Sequence, residues 1–307
     1  MGTAIQHELY MPPALPPAQT PSLVASAARG YQALRQRWVC MGPRCLEREG
    51  LRSWCKLPAR IQLQQGWCCG PECFQDAFRA LAVEMLHAHA AGEYRREPRR
   101  HRIPLGLLLL SRGQISREQL SQSLEAQAAA GHGRIGDWLV RHGVIQEDDV
   151  AAGVGLQWAR PIFRLAQSHT WKNCRGWVPP SILESLRMLP LHFAPQRRRL
   201  YVGFSQTIDC NALAALASVF ECKTESCIVT DSALDAVFEQ IHALPADERV
   251  QDIAFERVDD PAEIAGIVRQ YARHAEARQI RLAMMGSFLW VRVRGQRIIH
   301  ITFHGRS

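Results

Sequence analysis

Six of the ten cysteines of this 307-residue chain fall between Cys40 and Cys73. Thiolates are soft ligands, and four of them drawn from two separated points of a chain close a tetrahedron around Zn2+. The spacing offers two such points. Cys40-x4-Cys45 lies on a Met-Gly-Pro-Arg turn, and Trp67-Cys68-Cys69-Gly-Pro-Glu-Cys73 leads directly into an amphipathic segment whose apolar positions include Phe74, Phe78, Leu81 and Met85. The expected ligands are Cys40, Cys45, Cys69 and Cys73, with Cys68 and Cys55 as rivals. Four thiolates leave zinc no open position, so its expected role is structural. The plainer alternative is a small domain with reduced, buried cysteines, although so short a loop-rich segment usually needs a staple.

A second set of chemically able side chains lies on an internal repeat. When Pro104–Gln127 is set above Arg134–Gln157, Gly106 falls on Gly136, Leu109 on Leu139, Gly113 on Gly143, Ile115 on Ile145, Leu120 on Val150, Leu124 on Val154 and Gln127 on Gln157. In each copy Leu105, Leu108 and Leu109, or Ile135 and Leu139, give a short helix with one apolar face, closed at Gly113 or Gly143 where glycine takes the left-handed conformation. A second helix follows. Ser116 and Gln119 have capping-box spacing, Leu120 and Leu124 supply a buried stripe, and Val150 and Val154 repeat it behind the poorer cap Gln146. Each helix pair is too short to cover its own apolar side, so the two copies must pack on each other.

The pattern R-L-G-x-x-φ-φ-x-x-G-φ-φ-x-x-x-x-L-x-x-x-L-x-x-Q (φ aliphatic), twice in tandem, resembles the amino-terminal domain of type II secretion and type IV pilus assembly ATPases. The second copy satisfies the pattern with conservative changes. The first has Pro104 in place of arginine and Gln114 in place of an aliphatic, and Arg102 is the candidate substitute. In one branch of that family the double motif is a cyclic di-GMP receptor. The resemblance implies a ligand site of Arg102, Leu105, Gly106, Leu109, Leu110, Gly113, Gln127, Arg134, Ile135, Gly136, Leu139, Val140, Gly143 and Gln157. Guanidinium groups would serve phosphate or guanine, glycines would admit the ligand to helix amino ends, aliphatic residues would wall the bases and glutamines would hydrogen-bond. The structural alternative is a helical core with glycine caps that docks partners. Downstream, Val178-Pro179, Leu189-Pro190-Leu191 and Val202–Asp209 are similar to the remainder of the same family domain, with Ser205–Ile208 departing from its Asp-Pro turn. Trp67-Cys68-Cys69…Cys73 also resembles the ending of small bacterial zinc fingers.

These stretches suggest an α+β multidomain chain. The expected order is a proline-rich tail (1–22), a cysteine-rich zinc-knuckle module with a helix (23–90) and a basic linker (91–101). A helical tandem-repeat subdomain (102–165), a small α/β sandwich (166–245) and an α+β unit (246–307) complete it. Expected helices are Pro180–Met188, Cys210–Phe220, Ser232–Ile241 and Pro261–Glu276. Expected strands are Leu189–Phe193, Leu200–Phe204, Ser226–Val229, Gln279–Met284, Phe288–Arg294 and Arg297–Phe303. The last unit is faintly similar to the small domain that precedes the motor in the ATPases.

The net charge of +8 comes almost wholly from arginine, since Lys56, Lys172 and Lys223 are the only lysines. Scattered arginines suit solvated linkers and turns better than a nucleic-acid groove, so no nucleic-acid partner is expected. No transmembrane run and no secretory signal pattern is found, which gives a cytoplasmic expectation in which disulfides are disfavoured. There is no G-x-x-x-x-G-K-[ST], no H-E-x-x-H and no G-x-S-x-G. Asp148-Asp149 and Asp259-Asp260 read as a helix start and a turn, and no enzymatic activity is expected. The function expected is a regulator or adaptor that binds cyclic di-GMP and acts on a secretion or pilus machine. The rivals are a docking module with a degenerate nucleotide site and a zinc-containing nucleic-acid-binding protein.

Overall fold

The computed structural model describes residues 40–45, 60–92, 102–205, 207–245 and 247–304. The proline-rich tail, Cys55 and most of the basic linker lie outside the described residues.

A short hairpin, β1 (Ile61–Leu63) and β2 (Gly66–Cys68), runs into helix α1 (Pro71–Ala90). Four helices follow: α2 (Leu105–Ser111), α3 (Arg117–Ala130), α4 (Ile135–Arg141) and α5 (Glu147–Trp158). Local sequence explains their ends. Ser116 and Gln119 form the reciprocal capping box at α3, and Gly131 closes that helix in the left-handed conformation. At α5 the Gln146 N–H donates to Asp149 Oδ2 at 3.1 Å, the returning half of a capping box.

Helix α6 (Pro180–Ser185), strands β3 (Met188–Ala194) and β4 (Arg199–Phe204), helix α7 (Cys210–Phe220), strand β5 (Lys223–Ile228) and helix α8 (Asp231–Ala243) build a three-stranded sheet of order β3-β4-β5. Strands β3 and β4 pair antiparallel, and β4 and β5 pair parallel through the α7 crossover. Asp209 caps α7 by accepting from the N–H groups of Asn211 and Ala212. Helix α8 is capped from a distance: Glu147, on α5, accepts from the Ser232 N–H at 2.8 Å and also bonds its hydroxyl.

The last part contains β6 (Val250–Glu256), α9 (Pro261–His274), β7 (Gln279–Met285), β8 (Phe288–Arg294) and β9 (Ile298–His304). It does not stand apart from the cysteine-rich module. One six-stranded sheet of order β2-β1-β7-β8-β9-β6 runs through both. Strand β1 pairs parallel with β7, and α1 and α9 lie together on one face, where Phe74, Phe78, Ile264, Val268, Ile280, Val291 and Ile301 share a core. Residues expected in two units, 23–90 and 246–307, thus share one sheet, and two amphipathic helices and that sheet cover each other.

The opposite face of that sheet meets the three-stranded unit, with Ala283, Met285 and Trp290 joining the core of Leu200, Val202, Leu216 and Val219. Polar side chains are buried there. Arg281 is 1% exposed and pairs with Glu221. Arg292 lies over Phe220, 5.1 Å from the ring centre, and burial together with nearby Arg294 pulls its pKa down to about 10. His300, wholly buried, accepts from Trp290 Nε1 at its Nδ1 (3.1 Å), which leaves Nε2–H to donate to the Gly176 carbonyl at 2.9 Å.

Candidate functional site

Helices α2 to α5 form one small unit with its own core of Leu109, Ile115, Leu120, Leu139 and Ile145, flanked by Leu105, Leu110, Ile135, Val140, Val144 and Val150. Equivalent positions of the two copies meet reciprocally. A side chain at Gly106 would strike Leu120 at 2.7 Å and approach Ile135, and one at Gly136 would strike Val150 at 2.8 Å and approach Leu105. The glutamines cross over in the same manner. Gln127 Nε2 donates to the carbonyl of Gly133, just before the second copy, at 2.8 Å, and Gln157 Nε2 donates to that of Ile103, just before the first, at 2.7 Å. Replacing Gln157 by leucine should cost about 1 kcal/mol, measurable by urea unfolding, because the Ile103 carbonyl loses its side-chain donor.

The residues implied as ligand contacts occupy different settings. Leu109 and Leu139 have 0% exposure and lie in the core of the unit. Gly106 and Gly136 admit a side chain of the neighbouring helix. Gly113 and Gly143 take φ of +68° and +67° with open space around them, so they close α2 and α4. Gln127 and Gln157 bind backbone. Leu105, Leu110, Ile135 and Val140 remain partly exposed at the edge of the core. Arg134 is exposed at the start of α4, and Arg102 stacks on Trp158 with its guanidinium carbon 3.1 Å from the ring centre.

Sequence reasoning missed the side chains the fold leaves open. Of six large hydrophobic residues exposed among the described residues, Ile103, Leu107, Leu124, Leu156 and Ile162 belong to this stretch; the sixth is Leu244. Leu124 was expected in the buried stripe and is 46% exposed, because the helices of the other copy cover only the Leu120 side of α3. Between the second copy and the three-stranded unit lies a cavity of about 270 Å3, lined in part by Gly136, Val140, Arg141, Val150, Ser205 and Asp231. Glu147 stands beside it, tying the two units at Ser232.

The second candidate site lies upstream of the tandem unit in the sequence. Cys40, Cys45, Cys69 and Cys73 bring their sulfur atoms within 4.8 Å of one another. The Cys45–Cys69 and Cys69–Cys73 sulfur distances are both 3.6 Å. That is far beyond a disulfide and close to the roughly 3.8 Å edge of a tetrahedron with Zn–S bonds of about 2.3 Å. The backbone is arranged for sulfur: Gly42 N–H and Cys69 N–H both donate to Cys40 Sγ at 3.4 Å. Burial would push the Cys40 thiol up, but those N–H groups and the neighbouring thiols outweigh it and hold its pKa below the ordinary value. Burial drives Cys69 up to about 11 and raises Cys73, as crowded thiols without a cation require. Gly42 leaves room for the cluster, since a side chain there would lie 2.7 Å from Cys73 Cβ. Among the rivals, Cys68 is wholly buried in the core on β2 and stands outside the cluster. The four thiols suit zinc in number, type and spacing.

No protein-family description matches the chain, and no curated protein matches it. Solved structures do. The chain is similar to a structure of MshE with cdg, at 27% identity over 46% of this chain and 99% of that one, with a TM-score of 0.39. It is also similar to the amino-terminal domain of XpsE, at 17% identity over 44% of this chain and 92% of that one, with a TM-score of 0.33. Both likenesses span less than half of the chain. Among the described residues no helix is long and apolar enough to cross a membrane.

Proposed function

We propose that the chain is a non-enzymatic regulator that binds cyclic di-GMP on the tandem helical unit and passes the signal to a secretion or pilus machine. The observation that supports this most is the double motif itself, folded as two reciprocal helix pairs that leave Leu107, Leu124 and Leu156 exposed while Arg102 and Arg134 open the two copies. A cyclic dinucleotide presents two flat purines and two phosphate charges. Exposed aliphatic side chains can cover the purines, and guanidinium groups match phosphate or a guanine edge. Arg102 is already held flat on Trp158, which lowers the ordering cost of using it. The Glu147–Ser232 tie gives the helical unit a direct hold on α8 through which ligand binding would be felt. The four thiols hold a structural zinc ion in this reading.

The test is calorimetric titration of cyclic di-GMP into the whole protein. Saturable binding is expected, weakened about tenfold or more in Arg134→Ala, the loss typical of a charge-assisted contact. Leu107→Ala should weaken it as well without disturbing the fold. Folded protein that gives no heat and no protection from ligand in hydrogen exchange would remove the receptor reading. The exposed leucines would then mark a protein-docking surface.

A further inference from the structure

We infer that metal at the four cysteines is the clamp on a seam, fastening β1, β2 and α1 to a sheet formed by the far end of the chain. The inference rests on the zinc reading of those thiols and is independent of the dinucleotide.

The seam is narrow on the strand side. Gln62 N–H donates to the Arg278 carbonyl at 2.9 Å and Gln64 N–H to that of Ile280 at 3.0 Å. Gln64 Nε2 donates to the Leu282 carbonyl at 2.6 Å, joining residues 218 positions apart. Gln279 Nε2 adds a bond to Gln62 Oε1 at 3.1 Å. A hairpin of three-residue strands has little stability of its own, and one parallel partner adds only those few bonds. On the helix side α1 lies against α9, with Phe74 and Phe78 fully buried and Gln75 bonded to Arg269.

The thiol cluster sits where these two attachments meet. Cys40 bridges to Trp67 on β2, and the Met41 N–H donates to the Trp67 carbonyl at 2.9 Å. Cys69 occupies the turn from β2 into α1, and Cys73 lies in the first turn of α1. A metal bound there fixes the angle between hairpin and helix, which lets β1 reach the β7 edge while α1 reaches α9. Without it, four crowded thiols and a short hairpin must hold that angle alone. Loss of metal therefore opens the β1–β7 edge and uncovers the α9 side of the sheet. The three-stranded sheet, whose core of Leu200, Val202, Leu216 and Val219 lies on the face of β7 and β8 away from α1 and α9, remains closed.

The experiment uses the full chain loaded with one equivalent of Zn2+, its content measured by colour-reagent release, and compares hydrogen exchange before and after chelation. The expected result is one zinc per chain and exchange at least about tenfold faster in Gln279–Met285 and Pro261–His274 after chelation. Met188–Ala194 and Arg199–Phe204 should be unchanged. Cys45→Ser should reproduce the chelated pattern, and Cys45→His, which keeps a zinc-competent ligand, should restore protection when zinc is added. No zinc bound would overturn the metal reading. Zinc bound with β7 and α9 unmoved by its removal would overturn the clamp alone, as would an equal loss of protection across both sheets.

Discussion

Leu109→Ala and Leu139→Ala should each cost the tandem helical unit about 3 kcal/mol, the middle of the range for fully buried leucines. Both side chains have 0% exposure, and both lie in the one core made by equivalent positions of the two copies. Truncation leaves a cavity that seven-residue helices cannot collapse without moving their partners. The two losses should be similar because the two environments are related by the repeat. Leu107→Ala, at a position 52% exposed, should change stability by no more than about 0.5 kcal/mol. Denaturant unfolding followed by hydrogen exchange across α2 to α5 checks all three. A cost below about 1 kcal/mol at either buried leucine would mean that the copies do not share a core. Under the proposed receptor function, cyclic di-GMP binding should fall in the buried variants only as far as the unit unfolds, whereas Leu107→Ala should act on binding directly.

Acid should destabilise the contact between the two sheets through His300. Burial, the larger effect, and the charge of Arg292 pull its pKa from 6.5 down to about 4, against a raising contribution from the Gly176 carbonyl. A depressed folded value means that the unfolded chain takes the proton first. The stability it contributes is therefore complete above about pH 6.5 and is lost as pH falls from there toward 4. At about 1.4 kcal/mol for each pH unit between those values, the loss is roughly 3 kcal/mol. Apart from the Gly176 carbonyl, the neighbours offer the imidazolium little relief. Trp290 and Gly176 occupy its two nitrogens, Arg292 is its partner on β8, and on β6 its register partner Asp252 is exposed. His300→Gln carries a similar donor and acceptor without the titration. The difference in unfolding free energy between the proteins should narrow steadily from pH 7 to pH 4. Parallel pH profiles would rule out His300 as the titrating group.

The sequence by itself determined what local chemistry controls. The capping box at Ser116 and Gln119, the closing glycines Gly113 and Gly143, and helix Cys210–Phe220 all follow from residues within a few positions of each other, and the repeat follows from matches at one fixed offset. The cysteine spacing also marked two points able to hold one metal, and the structure brings those four thiols together. Tertiary structure decided which apolar residues are core. Leu109 and Leu124 both sit at helical spacing, yet one is fully buried and the other 46% exposed, since only the neighbouring helices fix which side of the stripe is covered. It also decided the partners of strands. The edge strand Val250–Glu256 alternates too weakly to announce itself, and nothing in Ile61–Leu63 names Gln279–Met285 as its neighbour. Backbone hydrogen bonds carry no side-chain label, so pairing across most of the chain is settled by the helices and core that bring the edges together.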